Sequence, residues 1–278
     1  MVEFLLKKGA DIRASDANKT TLLYFLISEG LSDFFSLERD DIISSDTSGY
    51  TLLHLAALCG NLGLVEHFIE KKCDINARSN SGSTVLHLAV GSNHQNIVSF
   101  LLRKGVEIDA VDDNGLTPLL LAVEINCKET VEILVSFETN DIIRDGRIEA
   151  LQNSALLGYS NIVDLLLENC KFDVTNELMR KLLVTAVNCN HKQVVAILLK
   201  NGFEVNGDAK PLHVATRHSY HGMVEFLLTK GANPNLLDEN NCTPLDIAIN
   251  LLDTDMCEIL LSEKANIHIE KKFILSAT

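Results

Sequence analysis

Tryptophan is absent from these 278 residues, and aromatic residues make up only 5% of them. Such a chain has few rings on which nucleic-acid bases could stack. Positive charge is also scarce: 24 Lys and Arg stand against 38 Asp and Glu, a formal net charge of −14. A chain this acidic repels phosphate backbones, which argues against nucleic acid as a partner. No apolar run approaches the roughly 18–20 residues of a membrane helix, so this segment is not expected to insert into a bilayer. The first residues lack the basic, apolar and small-residue order of a secretory leader. The seven cysteines are odd in number and none lies in a Cys-x-x-Cys pair, which disfavours a disulfide scaffold. Reduced thiols, packed as small hydrophobes in a cytoplasmic protein, are the expectation. Apolar material is plentiful: 46% hydrophobic and 22% charged residues are the balance of a folded domain rather than of a disordered one.

Internal repetition organises that material. Thr51-Leu-Leu-His-Leu-Ala56, Thr84-Val-Leu-His-Leu-Ala89 and Thr117-Pro-Leu-Leu-Leu-Ala122 begin 33 residues apart. Lys210-Pro-Leu-His-Val-Ala215 and Thr243-Pro-Leu-Asp-Ile-Ala248 keep the same spacing. Each hexamer is followed at a fixed offset by a second apolar stretch, such as Leu64–Ile69, Ile97–Leu102 or Met223–Leu228. Both stretches have helical periodicity. Gly105, Gly202 and Gly231 fall where the second helix must stop, as a left-handed cap requires. Weaker hexamers begin at 21, 149 and 181, which makes eight helix pairs. Thr suits the first helix's N-cap, and Pro is tolerated in its first turn. The recurring Ala (Ala56, Ala89, Ala122, Ala186, Ala215, Ala248) leaves room for a neighbouring helix to approach closely. No such pair can bury its apolar face alone, so adjacent pairs must stack.

The hexamers and their period resemble the ankyrin repeat, with its Thr-Pro-Leu-His-x-Ala signature and period of about 33 residues. The resemblance covers the whole chain and implies an all-α repeat fold: a solenoid of stacked helix-turn-helix units joined by β-hairpin fingers. Its units are a half repeat over 1–17, full repeats near 18–47, 48–80, 81–113, 114–145, 146–177, 178–207, 208–239 and 240–270, and the start of another over 271–278. Fingers are expected over 13–21, 43–51, 76–84, 109–117 and 235–243, where Asn or Gly near each tip suits a tight turn. The spacing shrinks to 32 residues between 149 and 181 and to 29 between 181 and 210, and 139–147 lacks turn chemistry. Distorted or missing fingers are expected there. Met1–Gly9 reads as a second helix without its first, and Lys272–Thr278 as the beginning of a first helix. Finished arrays carry polar caps, so the expectation is an excerpt of a longer array; the alternative is a natural protein with truncated caps.

Catalytic chemistry is not legible. Gly-x-Ser-x-Gly, a phosphate-binding loop, His-Glu-x-x-His and a dinucleotide fingerprint are all missing. His218 and His221 lack further ligands at zinc spacing, and Asp112-Asp113 lacks the spacing of a calcium loop. No cofactor or metal is expected, and the chain is read as a non-enzyme. The resemblance implies that His54, His87 and His213 hydrogen-bond the neighbouring loop. It also implies that partners contact the finger tips and the inner face of the first helices. The matching positions include Tyr50, Leu58, Cys59, Leu116, Glu124, Ile125, Ile148, Leu156, Leu157, Asn188, Cys189, Arg217 and His218, several of them apolar. A patch centred on Leu116, Ile125, Leu156 and Leu157 is the candidate docking surface, against the alternative that the irregular middle units bury Leu156 and Leu157. Glu124, Asp112 and Asp113 around it favour a partner with basic residues. Family resemblance further makes Asn206 and Asn235 candidates for hydroxylation, since Leu198 and Leu227 lie eight residues upstream of them. The expected function is a monomeric, non-catalytic scaffold that binds another protein. The alternatives are a targeting region of a larger enzyme, effector, toxin or channel, and a structural spacer.

Overall fold

The computed structural model describes residues 45–137, 144–169 and 176–266. The expected repeat at 18–47 falls mostly outside them, and the terminal half repeats and the finger at 13–21 lie wholly outside. The described residues form fourteen helices. They are α1 (Leu52–Leu58), α2 (Leu62–Glu70), α3 (Val85–Gly91), α4 (Gln95–Arg103), α5 (Pro118–Glu124), α6 (Lys128–Phe137) and α7 (Arg144–Leu157). There follow α8 (Ser160–Asn169), α9 (Asn176–Asn188), α10 (Lys192–Lys200), α11 (Pro211–Arg217), α12 (His221–Thr229), α13 (Pro244–Asn250) and α14 (Thr254–Ser262). Residues 1–150 and 151–278 make two compact units.

In the first unit the short helices α1, α3 and α5 pack side by side, and so do α2, α4 and α6. In the second, α9, α11 and α13 form one such row, while α8 packs on α10 and α12 on α14. The repeated alanine explains the close approach: Ala56, Ala89, Ala122, Ala155, Ala186, Ala215 and Ala248 are all fully buried. Branched residues three positions before it and on the second helices, such as Leu86, Ile97, Leu101 and Val131, fill the shared core.

Local chemistry starts and stops these helices. Thr51, Thr84, Thr117 and Thr243 are extended N-caps whose side chains accept an N–H three residues on. Each second helix with a terminal glycine closes in a paired left-handed cap. Gly105 (φ +79) donates to the Leu102 carbonyl, and Val106 reaches back to Leu101. The turn between the two helices of a pair also needs one left-handed residue. Gly60 and Gly158 serve there because a Cβ would lie 2.6 Å from the rings of His94 and His191.

Three details differ from the sequence-based expectation. The fingers are short: single antiparallel bridges, Ser45–Thr51 and Arg78–Thr84, close two of them, and no longer strand occurs among the described residues. At 112–116 and 238–242 the Asp N–H still bonds across the turn, and the Asp carboxylate gathers the turn's other N–H groups, as Asp46 does at 46–50. Positions 149 and 181 lie inside helices, because α7 and α9 start five residues earlier. The first turn of α9 is supported by Glu177, whose carboxylate meets Arg180 at 3.0 Å and Lys181 at 3.8 Å. Finally, Lys210 takes a left-handed conformation (φ 45) and leaves α11 without a side-chain cap, a consequence of its shortened approach.

Candidate functional site

The buried histidines tie each repeat to the next. His54 Nδ1 accepts the Thr51 backbone N–H, which puts its proton on Nε2, and Nε2 then lies 3.3 Å from the Ser83 carbonyl. His87 does the same with Thr84 and reaches the Leu116 carbonyl at 3.1 Å. His213 Nε2 sits 3.0 Å and 3.1 Å from the carbonyls of Leu236 and Cys242. Burial pushes all three imidazoles below their ordinary value of 6.5, with the carbonyl bonds only partly opposing it. In the fourth repeat position of α13, Asp246 takes over the capping role, accepting the Thr243 N–H at 2.8 Å.

A second set of side chains fixes the far ends of the short helices. His94 Nε2 donates to the Leu58 carbonyl at 3.1 Å and His191 Nε2 to the Leu156 carbonyl at 2.9 Å. The Tyr220 hydroxyl donates to the Asn188 carbonyl at 3.1 Å. One repeat later, Asp253 accepts from His221 at 2.9 Å and from the Met256 N–H. These bonds lower the Asp253 carboxyl to about 2, the His221 contact contributing most. The last turns of α1, α7 and α9 are therefore anchored from the following repeat, and side chains there are displayed on a firm backbone.

That display includes most of the sequence-predicted residues. In the first unit, Leu58 and Cys59 end α1 half-buried, while Glu124 and Ile125 end α5 exposed. Burial raises the Cys59 thiol. In the second, Leu156 is 50% and Leu157 42% exposed, so neither is buried internally. Asn188 and Arg217 end α9 and α11 exposed, with Cys189 half-buried. Arg217 pairs with Asp238, whose carboxyl is held low by backbone N–H groups and that guanidinium against its burial. His218 stacks on Tyr220, ring centroids 5.3 Å apart. Tyr50 and Leu116 are not at these ends: both precede the N-caps, half-buried, and Leu116 is occupied as the acceptor of His87. Leu116 thus lies one helix length from Ile125, about 10 Å for the seven residues of α5. Ile148 is half-buried within α7 rather than at its end. Leu116 and Ile125 belong to the first unit, Leu156 and Leu157 to the second.

Sequence reasoning missed Ile249, Leu251 and Leu252, which are 47%, 48% and 87% exposed at the end of α13. Leu252 is also left-handed (φ 57), at the position that Gly60, Asn93, Asn126, Gly158, Asn190 and Ser219 occupy in other repeats. A large side chain is costly there and is not repaid by burial. Aligning the ninth residue after each hexamer start would have exposed this exception. Asn206 and Asn235 are both structural: Asn206 Nδ2 donates to the Gly231 carbonyl (2.9 Å) and its Oδ1 accepts from Asn233. Asn235 bonds Lys264 and Asn266 in the same manner. Among the described residues, no three His, Cys, Asp or Glu are grouped to hold a metal ion, and no helix is long and apolar enough to cross a membrane.

A family model described as ankyrin repeats (three copies) matches overlapping stretches over residues 1–79, 20–112, 53–145, 86–177, 151–238 and 183–272. An ankyrin repeat protein of Fowlpox virus is 30% identical over 125 residues, which are 44% of this chain and 30% of the viral protein. A second one from the same virus is 30% identical over 32% of this chain and 23% of its own length. The chain thus aligns with less than a third of the length of these curated relatives. The crystal structure of the ankyrin repeat domain of Bcl-3, a member of the IkappaB family, superposes with a TM-score of 0.64 at 27% identity, over 77% of this chain and 99% of that one. The human ASB11 ankyrin repeat domain gives 0.60 at 22% identity, over 79% and 100%. With its 33-residue period, its capped helix pairs and family matches that reach across nearly all of its length, this chain belongs to the ankyrin-repeat family.

Proposed function

We propose that the chain is a non-catalytic scaffold, one continuous repeat array that grips another protein along the ends of its first helices. Ankyrin repeat domains generally serve as protein–protein interaction modules, and solenoids build extended surfaces from equivalent positions. The observation that carries the reading is the apolar display at those ends: Ile125 in the first unit, and Leu156, Leu157, Leu251 and Leu252 in the second, all more than a third exposed. Exposed apolar groups at recurring helix ends are what an interface core uses, with charge around them setting orientation. Glu124, together with Asp112 and Asp113 across the repeat, favours basic residues on the partner. A second reading, a targeting region within a larger protein, is supported by the small share of the viral relatives that this chain matches.

The test begins with affinity enrichment from the native cell, followed by titration of the purified partner against Ile125→Asp and Leu157→Asp. Each change should cost at least about 2 kcal/mol of binding, roughly thirtyfold in Kd, if its residue is an interface anchor. Melting temperature should barely move. Unfolding of both variants would identify these residues as core. Two folded variants that still bind would move the partner to the fingers or the second helices.

A further inference from the structure

The 29-residue spacing between Lys181 and Lys210 removes the length of a finger. In its place, the loop after α10 folds back beside the early-starting first turns of α9. Between them lies a cavity of about 300 Å³. Its apolar lining is Leu183, Phe203 and Ala209, exposed by 1%, 5% and 8%, with half-buried Met179 beside them. Its charged lining is Arg180, Glu204 and Asp208, all exposed.

The charges are not balanced. Arg180 is committed to Glu177 through two hydrogen bonds, Nε to Oε2 at 3.1 Å and a terminal nitrogen to Oε1 at 3.0 Å. Glu204 and Asp208 make no ion pair within 4 Å among the described residues, and Asp208 feels the Arg180 charge only at longer range, so the rim sets two carboxylates against one guanidinium already bonded to Glu177. They stand on a chain whose net charge is already −14. An anion is repelled from such a rim, while a cation is drawn to it. The volume is at the small end for ligand clefts and suits one or two side chains better than a cofactor.

We propose that this slot receives a peptide segment of another protein in which Lys or Arg adjoins an apolar residue. The apolar side chain lies on Leu183, Phe203 and Ala209, and the cation sits between Glu204 and Asp208. The slot is independent of the helix-end surface: from Arg180 to Asn188 is about 12 Å along α9 at 1.5 Å per residue.

The probe is a pair of acetylated, amidated dipeptides, Leu-Arg and Leu-Glu, titrated into the full 278-residue chain with labelled methionine methyls and backbone amides. Leu-Arg should shift the Met179 methyl and the Gly202 and Gly207 amides saturably, and Leu-Glu should leave them in place. The double variant Glu204→Lys, Asp208→Lys changes only exposed side chains and should keep the helical spectrum and melting temperature. It should weaken Leu-Arg binding at least tenfold. Equal response to both dipeptides, no response to Leu-Arg, unchanged affinity in the double variant, or shifts confined to the helix ends around residues 156 and 188 would each overturn the proposal. None of those outcomes touches the helix-end reading, which is tested by Ile125 and Leu157.

Discussion

Mild acid should unfold this protein, because three buried imidazoles are held neutral. His54, His87 and His213 have folded pKa values below the ordinary 6.5, chiefly through burial. Below about pH 6.5 the unfolded chain takes up protons that the native state refuses. Stability is therefore complete above that pH and falls as pH drops from 6.5 towards the lowered folded values. One such proton changes stability by about 1.4 kcal/mol per pH unit, so three approach about 4 kcal/mol per pH unit. Against a typical domain stability of about 5–15 kcal/mol, one pH unit is a large fraction. Asp238 and Asp253 act in a separate window: their carboxyls are lowered from 3.8, so their contribution is lost only as pH falls below that value. The assay is urea unfolding followed by far-UV circular dichroism at several pH values from about 7.5 to about 5.5, bracketing the histidine pKa. Wild type should lose stability steeply over that range. His87→Gln should start less stable yet shed about one proton's share of the slope. A midpoint that does not move with pH, or a slope unchanged when all three histidines are replaced, would refute the argument that these rings are neutral in the fold.

Other expectations follow from single contacts. Ala89→Leu should cost about 1–3 kcal/mol in chemical unfolding, since Ala89 is fully buried between neighbouring helices. Asn206→Ala removes bonds to Gly231 and Asn233 and should cost about 1 kcal/mol, read as a lowered melting temperature. Leu252→Gly should stabilise by up to about 1 kcal/mol by relieving the left-handed leucine while weakening partner binding, a combination that calorimetry and titration together can read. Hydroxylation at Asn206 or Asn235 requires an added oxygen in the intact mass of protein from its own cell; an unmodified mass excludes it.

The repeat logic was open in the sequence because it rests on period and residue type. Thr at the cap, Ala at the close approach, His reaching the next loop and Gly at the helix end each have one local physical reason, and each recurs. The early starts of α7 and α9 were hidden because neither carries the recurring hexamer that marks the other first helices. Glu177 supports α9 through ion pairs whose value depends on the helix already existing. Asn and Gly at the finger tips reported the tight turns but not how few residues pair across them. At the candidate surface, composition could nominate Leu156 and Leu157 but could not separate core from solvent. Leu116 looked equivalent to Ile125 until its carbonyl proved to be the anchor of His87 and its side chain half-buried. Leu251 and Leu252 escaped notice because a leucine pair reads as core wherever its neighbours are unknown.

The central claim is that partners dock on the ends of the first helices. Hydrogen exchange on the complex with an enriched partner tests it most directly. The account predicts slowed exchange at 124–126, 156–158, 188–190, 217–219 or 250–252, with little change along α12 and α14. Slowed exchange confined to the outer faces of those second helices, with the first-helix ends unchanged, would contradict it.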